Sequence, residues 1–448
     1  MSLNFMEPYI IDAGWLLTPT NKVIEDVRVI TENKKIIYAG RKSESPPTAQ
    51  GLEHLTYPKG MILPALFNSH THLPETLIRG ICDDQNLLTW LFDHVWKVEP
   101  AMRADDAKAG ALLGIAEMIA NGIVAFNDQY FYSDSIAEAV KETGVKAYLS
   151  PSIFEHEGQA ESKTIRNSYQ KNIDVFNRWH QYDNRIFIGF GPHAPYTVDQ
   201  EWLTKITEAT KERNTKMHIH LQETMKENED SQKEWGCSQI ELMNKLGALP
   251  DIFAAHCVHT SNKDRKLLAE NQTPVLSCPQ SNLKTASGIT PIPEYLKQNI
   301  QVCLGTDGSA SNNNLDVFEE VRLVSLLHKA LNFNPMVMDM YNSFSLATKS
   351  GERIFSKEIY SGSLAKNSPA DLIVVNLDNI ATTPIIKPFS NVIYSAGNTQ
   401  IAVTMSNGKI LYQNGRFYTL EIDKVKRYAQ KSTEGMVYRS GYNIDLTG

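Results

Sequence analysis

The middle of the chain alternates short apolar runs with segments of helical periodicity. In the helical segments apolar residues recur every three to four positions, which is typical of amphipathic helices. The eight apolar runs cover residues 63–72, 123–128, 146–153, 185–193, 216–223, 252–259, 274–282 and 300–308. Eight strands, each followed by a helix, predict an α/β fold with a closed (β/α)8 TIM barrel. The sequence has no Gly-x-Gly-x-x-Gly turn, which disfavours an open doubly wound sheet.

The two ends of the chain have a different pattern. Short alternating runs occur at 9–17, 23–31 and 35–38, and again at 371–375, 391–395, 401–406 and 409–411. The last two runs are joined by Asn407-Gly408, the strongest short signal for a β-hairpin. Neither end alone has enough strands to bury both faces of a sheet. We therefore predict a small β-sandwich built by both termini, residues 1–63 and 371–448, beside a barrel domain at 64–370.

Composition and charge narrow the class of protein. Of the 448 residues, 42% are hydrophobic and 21% are charged, a profile typical of globular proteins. The net charge of −7 disfavours nucleic-acid binding, which needs clustered lysine and arginine. No apolar stretch is long enough to span a bilayer, and the N-terminus lacks the pattern of a secretory signal. The five cysteines form no Cys-x-x-Cys pair, which indicates reduced thiols in a cytoplasmic protein.

Histidines and carboxylates cluster near the ends of the predicted strands. His70 and His72 are one residue apart, so in a strand both face the same side and can bind one metal ion. Later predicted strands end near a further set of such residues, which comprises His193, His220, Glu223, His256 and Asp307. Active sites of (β/α)8 barrels lie at the carboxyl ends of the strands. We therefore expect these side chains to share one site.

The residue types in this set indicate metal-assisted hydrolysis. Three imidazoles and one carboxylate suit one divalent ion, with Zn²⁺ favoured and Fe²⁺ or Mn²⁺ as alternatives. Zinc lowers the pKa of bound water from about 15.7 to about 7. Asp307 could bind the ion and accept the water proton, Glu223 could protonate the substrate, and His256 could orient the attacking water. The fourth predicted strand has no lysine, which favours a single ion over a bridged pair.

These residues stand in segments that resemble the amidohydrolase superfamily. The segments are 68–72, 191–197, 218–224, 255–259, 281–284, 286–289, 304–308 and 311–314. Within the superfamily the chain looks like the 5-methylthioadenosine/S-adenosylhomocysteine deaminases, a branch related to the triazine chlorohydrolases. The resemblance covers nearly the full length. It implies hydrolytic deamination of a small-molecule adenine nucleoside at C6, with release of ammonia, by a homo-oligomer.

The resemblance also implies a role for individual residues. By position it assigns metal binding to His70, His72, His220 and Asp307, and catalysis to Glu223, His256 and Asp307. It assigns substrate binding to Glu99 and His193, in addition to Glu223. Glu99 matches the acid that holds the ribose hydroxyls in this family. The apolar segment around Trp90 is typical of a core helix, and Trp90 is its candidate for a wall of the nucleobase pocket.

Two features depart from the family pattern. Glu75 stands in the loop after His72, where small residues and a methionine are common. Its carboxylate either faces the substrate, where it would favour a cationic or donor-rich group, or lies at the surface of the loop. After the third predicted strand no arginine is placed to hold a homocysteine carboxylate, since Arg166 falls in a predicted helix. This favours methylthioadenosine or another 5′-modified adenosine over S-adenosylhomocysteine. The alternatives are an enzyme acting on another heterocycle (a guanine, pterin or s-triazine) and a non-catalytic binding protein on the same fold.

Overall fold

A computed structural model describes residues 8–47, 52–85, 87–154, 161–162, 164–397 and 400–443. Its strands are β1 (Tyr9–Leu17), β2 (Val23–Glu32), β3 (Lys35–Arg41), β4 (Glu53–Pro64), β5 (Leu66–Thr71), β6 (Ile123–Tyr130), β7 (Lys146–Ile153), β8 (Ile186–Ile188), β9 (Gly191–Pro192), β10 (Met217–Leu221), β11 (Ile252–His256), β12 (Val275–Ser277), β13 (Val302–Leu304), β14 (Leu372–Asn376), β15 (Ile401–Ser406), β16 (Lys409–Gln413) and β17 (Arg416–Phe417).

The helices lie mainly between the central strands and after them. They are α1 (Leu87–Thr89), α2 (Trp96–Val98), α3 (Ala104–Ala120), α4 (Ser133–Thr143), α5 (Ile165–Trp179), α6 (Gln200–Glu212), α7 (Met225–Trp235), α8 (Gln239–Lys245), α9 (Asn262–Glu270), α10 (Pro279–Lys284), α11 (Ile292–Lys297), α12 (Ser309–Asn312), α13 (Val317–Leu331), α14 (Met340–Ser345), α15 (Pro388–Tyr394) and α16 (Ile422–Ser440). Two 3-10 turns, Leu73–Ile78 and Glu99–Ala101, and the π-helical turn Trp90–Val95 also contribute to the candidate site.

The central strands pair in parallel and form the framework of a mixed α/β fold. One sheet has the order β5-β6-β7-β8, with β9 paired to β7, and a second has the order β10-β11-β12-β13. Every residue of β5, β6 and β10 to β13 is buried. Parallel strands covered on both faces read as continuous apolar runs, which is why these positions were predictable. The strand predicted at 185–193 is divided into β8 and β9.

Backbone hydrogen bonds connect the two parallel sheets at both ends. Between β8 and β10, the Phe190 N–H donates to Lys216 O at 3.0 Å and the His218 N–H donates to Phe190 O at 2.8 Å. Between the end of β13 and β5, the Asp307 N–H donates to His70 O at 2.9 Å. These bonds bring the carboxyl ends of strands from both sheets to the same place.

Strands from both ends of the chain join in one sheet. Its eight strands have the order β17-β16-β15-β14-β4-β1-β2-β3. The join is β4, which pairs in parallel with β1 and antiparallel with β14. The predicted β-sandwich is not confirmed, because the two terminal segments meet edge to edge in a single sheet. The predicted hairpin at Asn407-Gly408 is present between β15 and β16, and both turn residues have positive φ angles, 48° and 73°.

Two C-terminal segments differ from the sequence pattern. Residues 391–394 of the segment predicted as a strand at 391–395 belong to helix α15, which begins at Pro388. Proline is favoured in the first helical turn because the N–H that it lacks would have no partner there. Helix α16 was not predicted, and it packs on α3, where Arg439 pairs with Asp106. Among the described residues, no helix is long and apolar enough to cross a membrane.

Candidate active site

The histidines that the sequence predicted converge at the carboxyl ends of the parallel strands. His70 lies in β5 and His72 directly follows that strand, while His220 lies in β10 and His256 ends β11. Asp307 follows β13. Two groups of residues have possible ligand atoms that, within each group, all lie within 4.8 Å of one another. One group is His70, His72 and His220, and the other is His70, His256 and Asp307. Residues far apart in the sequence therefore surround one small volume.

The tautomers of His72 and His220 follow from their backbone partners. His72 Nδ1 lies 2.6 Å from Gln129 O, and His220 Nδ1 lies 2.7 Å from His193 O. A carbonyl only accepts, so each Nδ1 carries a proton and each Nε2 faces the other donor atoms. The two Nε2 atoms are 3.3 Å apart, and His72 Nε2 is also 3.3 Å from Asp307 Oδ1. Although burial lowers the pKa of His72, the Asp307 carboxylate raises it to about 10, so the positive charge that this group of atoms needs can come from a proton or from a metal ion.

His70 completes this group of donor atoms. Its Nδ1 lies 2.7 Å from His218 Nε2, and its Nε2 lies 3.4 Å from Asp307 Oδ1. The Nε2 atom is buried and has no hydrogen-bond partner in the described part of the chain. Burial lowers the pKa of His70 to about 4, so the ring is neutral at pH 7, the state in which imidazole binds metals.

Asp307 is held on both carboxyl oxygens. The Ser281 hydroxyl donates to Oδ2 at 2.7 Å, and the Gly308 N–H donates to Oδ1 at 2.8 Å. Although burial raises its pKa, the nearby imidazoles of His70 and His72 hold the pKa of Asp307 well below the usual value. Asp307 therefore remains a carboxylate.

Glu223 and His256 lie together beside the ligand atoms. Glu223 Oε2 is 3.6 Å from His256 Nε2, and the Ser287 hydroxyl donates to Glu223 Oε1 at 3.2 Å. Burial, with the charge of Asp307, raises the pKa of Glu223 to about 8. A carboxyl group with this pKa can carry and release a proton near neutral pH. His256 Nδ1 lies 3.0 Å from Asn282 Nδ2, which fixes the orientation of the ring.

Two active-site residues have an unusual backbone conformation. Both His256 and Asp307 have a φ angle of +65°, in the left-handed region that non-glycine residues rarely adopt. His256 is the last residue of a buried parallel strand and Asp307 follows another, and both side chains line the cavity. Strained backbone of this kind is concentrated at functional sites.

A cavity opens above these residues and contains the predicted substrate-binding side chains. The predicted residues that line it are His72, Trp90, Glu99, His193, His220, Glu223, His256 and Asp307, while His70 is fully buried beneath them. Further apolar wall is contributed by Leu87, Leu91, Val95, Trp96, Phe131 and Phe154. The Trp90 indole nitrogen is buried without a hydrogen-bond partner among the described residues. It is therefore a donor available to a ligand.

Glu99 faces the cavity from the turn after α2. The Tyr130 hydroxyl donates to Glu99 Oε1 at 2.5 Å, and burial raises the pKa of Glu99 to about 7. The His193 ring packs against Phe154 at an interplanar angle of 40°, with ring centroids 5.1 Å apart. The Glu99 carboxyl group therefore lies in a cavity wall that is otherwise largely aromatic. Such a wall suits a sugar, whose hydroxyls can bind the carboxyl group, attached to an aromatic base.

Sequence reasoning missed the roles of Tyr130 and Ser281, and the structure clarifies two other positions. No spacing rule connects Tyr130 with Glu99 or Ser281 with Asp307, because each pair meets only through the tertiary fold. Glu75 lies inside the cavity rather than at the surface. Arg166 lies at the start of α5, and residues 155–160 of the loop before it fall outside the described residues.

A parallel-strand α/β fold with this cluster of histidines and carboxylates is the arrangement of a metal-dependent hydrolase. The chain belongs to the amidohydrolase family, which matches residues 61–411. This confirms the family predicted from the sequence.

Individual relatives extend this result. The 5-methylthioadenosine/S-adenosylhomocysteine deaminase of Thermoanaerobacter pseudethanolicus is 34% identical over 93% of this chain and 96% of its own length. The 5′-deoxyadenosine deaminase of Methanosarcina barkeri is 35% identical over 97% of this chain and 99% of its own. The crystal structure of an adenosine deaminase from Xanthomonas campestris with bound zinc superposes with a TM-score of 0.92 at 28% identity. The superposition covers 96% of this chain and 98% of the Xanthomonas campestris chain.

Proposed function

We propose that this protein is a metal-dependent deaminase that hydrolyses the C6 amino group of a 5′-modified adenosine and releases ammonia. The relatives named above, which are deaminases of adenine nucleosides, support this proposal. The observation that carries the hydrolytic chemistry is the convergence of the Nε2 atoms of His72 and His220, 3.3 Å apart beside Asp307. A divalent ion between these atoms would bind all three.

The donor set fits one divalent ion per chain. His70, His72, His220 and Asp307 would hold it, and nitrogen-rich ligation of this kind favours Zn²⁺, with Fe²⁺ and Mn²⁺ as alternatives. The bound ion would supply Lewis acidity, which lowers the pKa of a water molecule to about 7. His218 and the carbonyls of Gln129 and His193 keep the three imidazoles in the required orientation.

Three side chains then manage the protons and the substrate. Asp307 accepts a proton from the attacking water, and its hydrogen bond from Ser281 fixes the oxygen that does not face the imidazoles. Glu223 delivers a proton to N1 of the purine, because its raised pKa keeps a proton available. His256, oriented by Asn282, donates a hydrogen bond to the oxygen that is added at C6.

The rest of the cavity accounts for recognition of the nucleoside. We assign the ribose hydroxyls to Glu99, the purine ring to His193, and a base or sugar acceptor to the indole N–H of Trp90. The described residues that line the cavity include no lysine or arginine. An uncharged 5′ substituent, as in methylthioadenosine or 5′-deoxyadenosine, therefore suits the cavity better than the carboxylate of S-adenosylhomocysteine.

We also propose the larger organisation that this function requires. The two parallel sheets would close into one (β/α)8 barrel domain, residues 64–370, and residues 1–63 and 371–448 would form the second domain. The hydrogen bond from Asp307, just after β13, to His70 in β5 supports closure of the barrel. A homo-oligomer, a cytoplasmic location and the lack of nucleic-acid binding remain predictions from the sequence.

A substrate panel tests the proposed activity. Zinc-loaded protein should convert 5-methylthioadenosine to methylthioinosine, with loss of adenine absorbance and release of ammonia. The panel should also include guanine, a pterin and a chloro-s-triazine. Turnover of only one of these three compounds would show that the enzyme acts on another heterocycle. A protein with neither bound metal nor turnover would be a non-catalytic binding protein.

A further inference from the structure

Glu75 places a buried carboxyl group in the cavity. It lies in the 3-10 turn Leu73–Ile78, which begins immediately after His72, and only 6% of the residue is exposed. The Ala310 N–H faces this carboxyl group. The Oε2 atom is buried without a hydrogen-bond partner in the part of the chain that is described. Arg79 in the same loop pairs with Glu117 instead, so it does not neutralise Glu75.

Gly308 fixes where this carboxyl group lies. A Cβ atom added at Gly308 would stand 1.7 Å from Glu75 Oε2 and 2.6 Å from its Cδ. Glycine at this position therefore makes room for the Glu75 carboxyl, which occupies the space of a side chain directly after Asp307. The φ angle of Gly308 is −73°, so the need for glycine comes from space and not from backbone conformation.

Glu75 and Glu223 approach the cavity from different sides. Glu223 contacts Ser287 and His256, which follow β12 and β11, whereas Glu75 lies between the end of β5 and Gly308. In a 6-aminopurine, N1 and the five-membered ring lie on opposite sides of the bond from C6 to the amino nitrogen. The amino group has one N–H on the N1 side and one on the side of the five-membered ring. If Glu223 faces N1, the N–H on the side of the five-membered ring points away from Glu223.

Resting on the proposed deaminase function, we propose that Glu75 accepts a hydrogen bond from the amino group that is displaced, and so selects substrates with an amine leaving group. A carboxyl group keeps an acceptor oxygen in either protonation state. Among the described residues no donor binds Oε2, so an N–H of the substrate would supply a partner that the protein does not.

The reaction balances with Glu75 as a positioning group that keeps its own proton state. The water oxygen forms a bond to C6, and the bond between C6 and the amino nitrogen breaks. One water proton ends on N1 through Glu223, and the other joins the departing NH2 to give NH3. Glu75 orients the amino group so that its lone pair can accept that proton.

Two substrates that give the same product separate this role from general catalysis. Adenosine and 6-chloropurine riboside both yield inosine, but only adenosine has an N–H donor on its leaving group. In Glu75→Leu, kcat/KM for adenosine should fall about 10- to 100-fold, the range for a lost hydrogen bond to a charged or buried partner. The value for 6-chloropurine riboside should change less than about threefold. Glu75→Gln, which keeps a carbonyl acceptor, should recover part of the loss.

Gly308→Ala supplies a second variant in which Glu75 itself is retained. Its Cβ should displace the carboxyl and produce the same shift in the ratio of the two substrates. The exposed Glu201→Gln should leave both rates unchanged. Metal content and melting temperature should be measured for every variant. An equal fall for both substrates, or no change for either, would overturn the proposal, as would wild-type enzyme that prefers the chloride.

Binding gives a readout that does not depend on turnover. By calorimetry in the Glu223→Gln background, which blocks turnover, Glu75→Leu should weaken binding of adenosine but not of purine riboside, which has hydrogen at C6. If wild-type protein turns over neither of the two nucleosides nor 5-methylthioadenosine, the proposed function fails. The binding comparison still decides the role of Glu75: equal affinities for adenosine with and without Glu75→Leu would refute it.

Discussion

At the scale of single residues, Glu223 allows proton transfer to be separated from metal binding. Its carboxyl contacts Ser287 and His256 but is not among the converging donor atoms. We expect Glu223→Gln to retain one metal ion per chain and to lose at least about 10²-fold in kcat, because an amide cannot transfer the proton. Metal analysis beside steady-state rates checks this. A variant as fast as wild type would exclude Glu223 as the proton carrier.

Residue chemistry was predictable where it follows strand geometry, and unpredictable where it depends on contacts across the fold. His70 and His72 stand one residue apart at the end of a predicted strand, and His220 and Asp307 stand near the ends of two others, so the local pattern was enough to nominate them. The bonds from Tyr130 to Glu99 and from Ser281 to Asp307 join separate strands and loops. Nothing within either local segment indicates its partner.

At the scale of elements, Asp12 links β1 to both neighbouring strands, β2 and β4, and to Lys42 directly after β3. It accepts bonds from Arg28 at 2.7 and 2.8 Å, from Lys42 at 2.8 Å and from His54 at 2.9 Å. Although burial raises its pKa, these partners hold the pKa of Asp12 well below the usual value. We expect Asp12→Asn to lower the free energy of unfolding at pH 7 by about 1–3 kcal/mol.

The pH dependence of this effect has a defined sign. A carboxyl whose pKa is lowered by folding stabilises the protein above its unfolded pKa, near 3.9, and the contribution disappears as the pH falls below that value. The difference between wild type and Asp12→Asn in urea unfolding should therefore shrink on acidification. The exposed pair Lys59–Asp378 gives the control, because Asp378→Asn should cost less than about 1 kcal/mol. Equal effects of the two substitutions would contradict the role of Asp12.

Some elements of the fold can be specified by a local sequence pattern, and others cannot. Buried parallel strands were found because continuous apolar runs mark them, and Asn407-Gly408 marked its hairpin by backbone conformation. The segment at 391–395 has apolar residues compatible with either a strand or a short helix, and packing selects α15. The pairing of β4 with both β1 and β14 is a choice of edge partners that alternation does not encode.

At the scale of the whole molecule, the donor atoms connect the two parallel sheets. His70 and His72 come from the first sheet, while His220 and Asp307 come from the second. An ion that binds only the folded chain stabilises it by about 4 kcal/mol at a thousandfold excess over its Kd. We therefore expect chelation to lower the melting temperature by several degrees, and zinc to restore it.

His220→Ala should have a melting temperature that barely responds to chelator or zinc, because Asp307 is then the only ligand left from the second sheet and the ion is no longer enclosed. The control is His180→Ala, which lies outside the cluster. Its melting temperature should respond to chelator and zinc like that of the wild type when both are measured by scanning calorimetry. A zinc-dependent shift of full size in His220→Ala would place the ion elsewhere and would remove the link between metal binding and the joining of the two sheets.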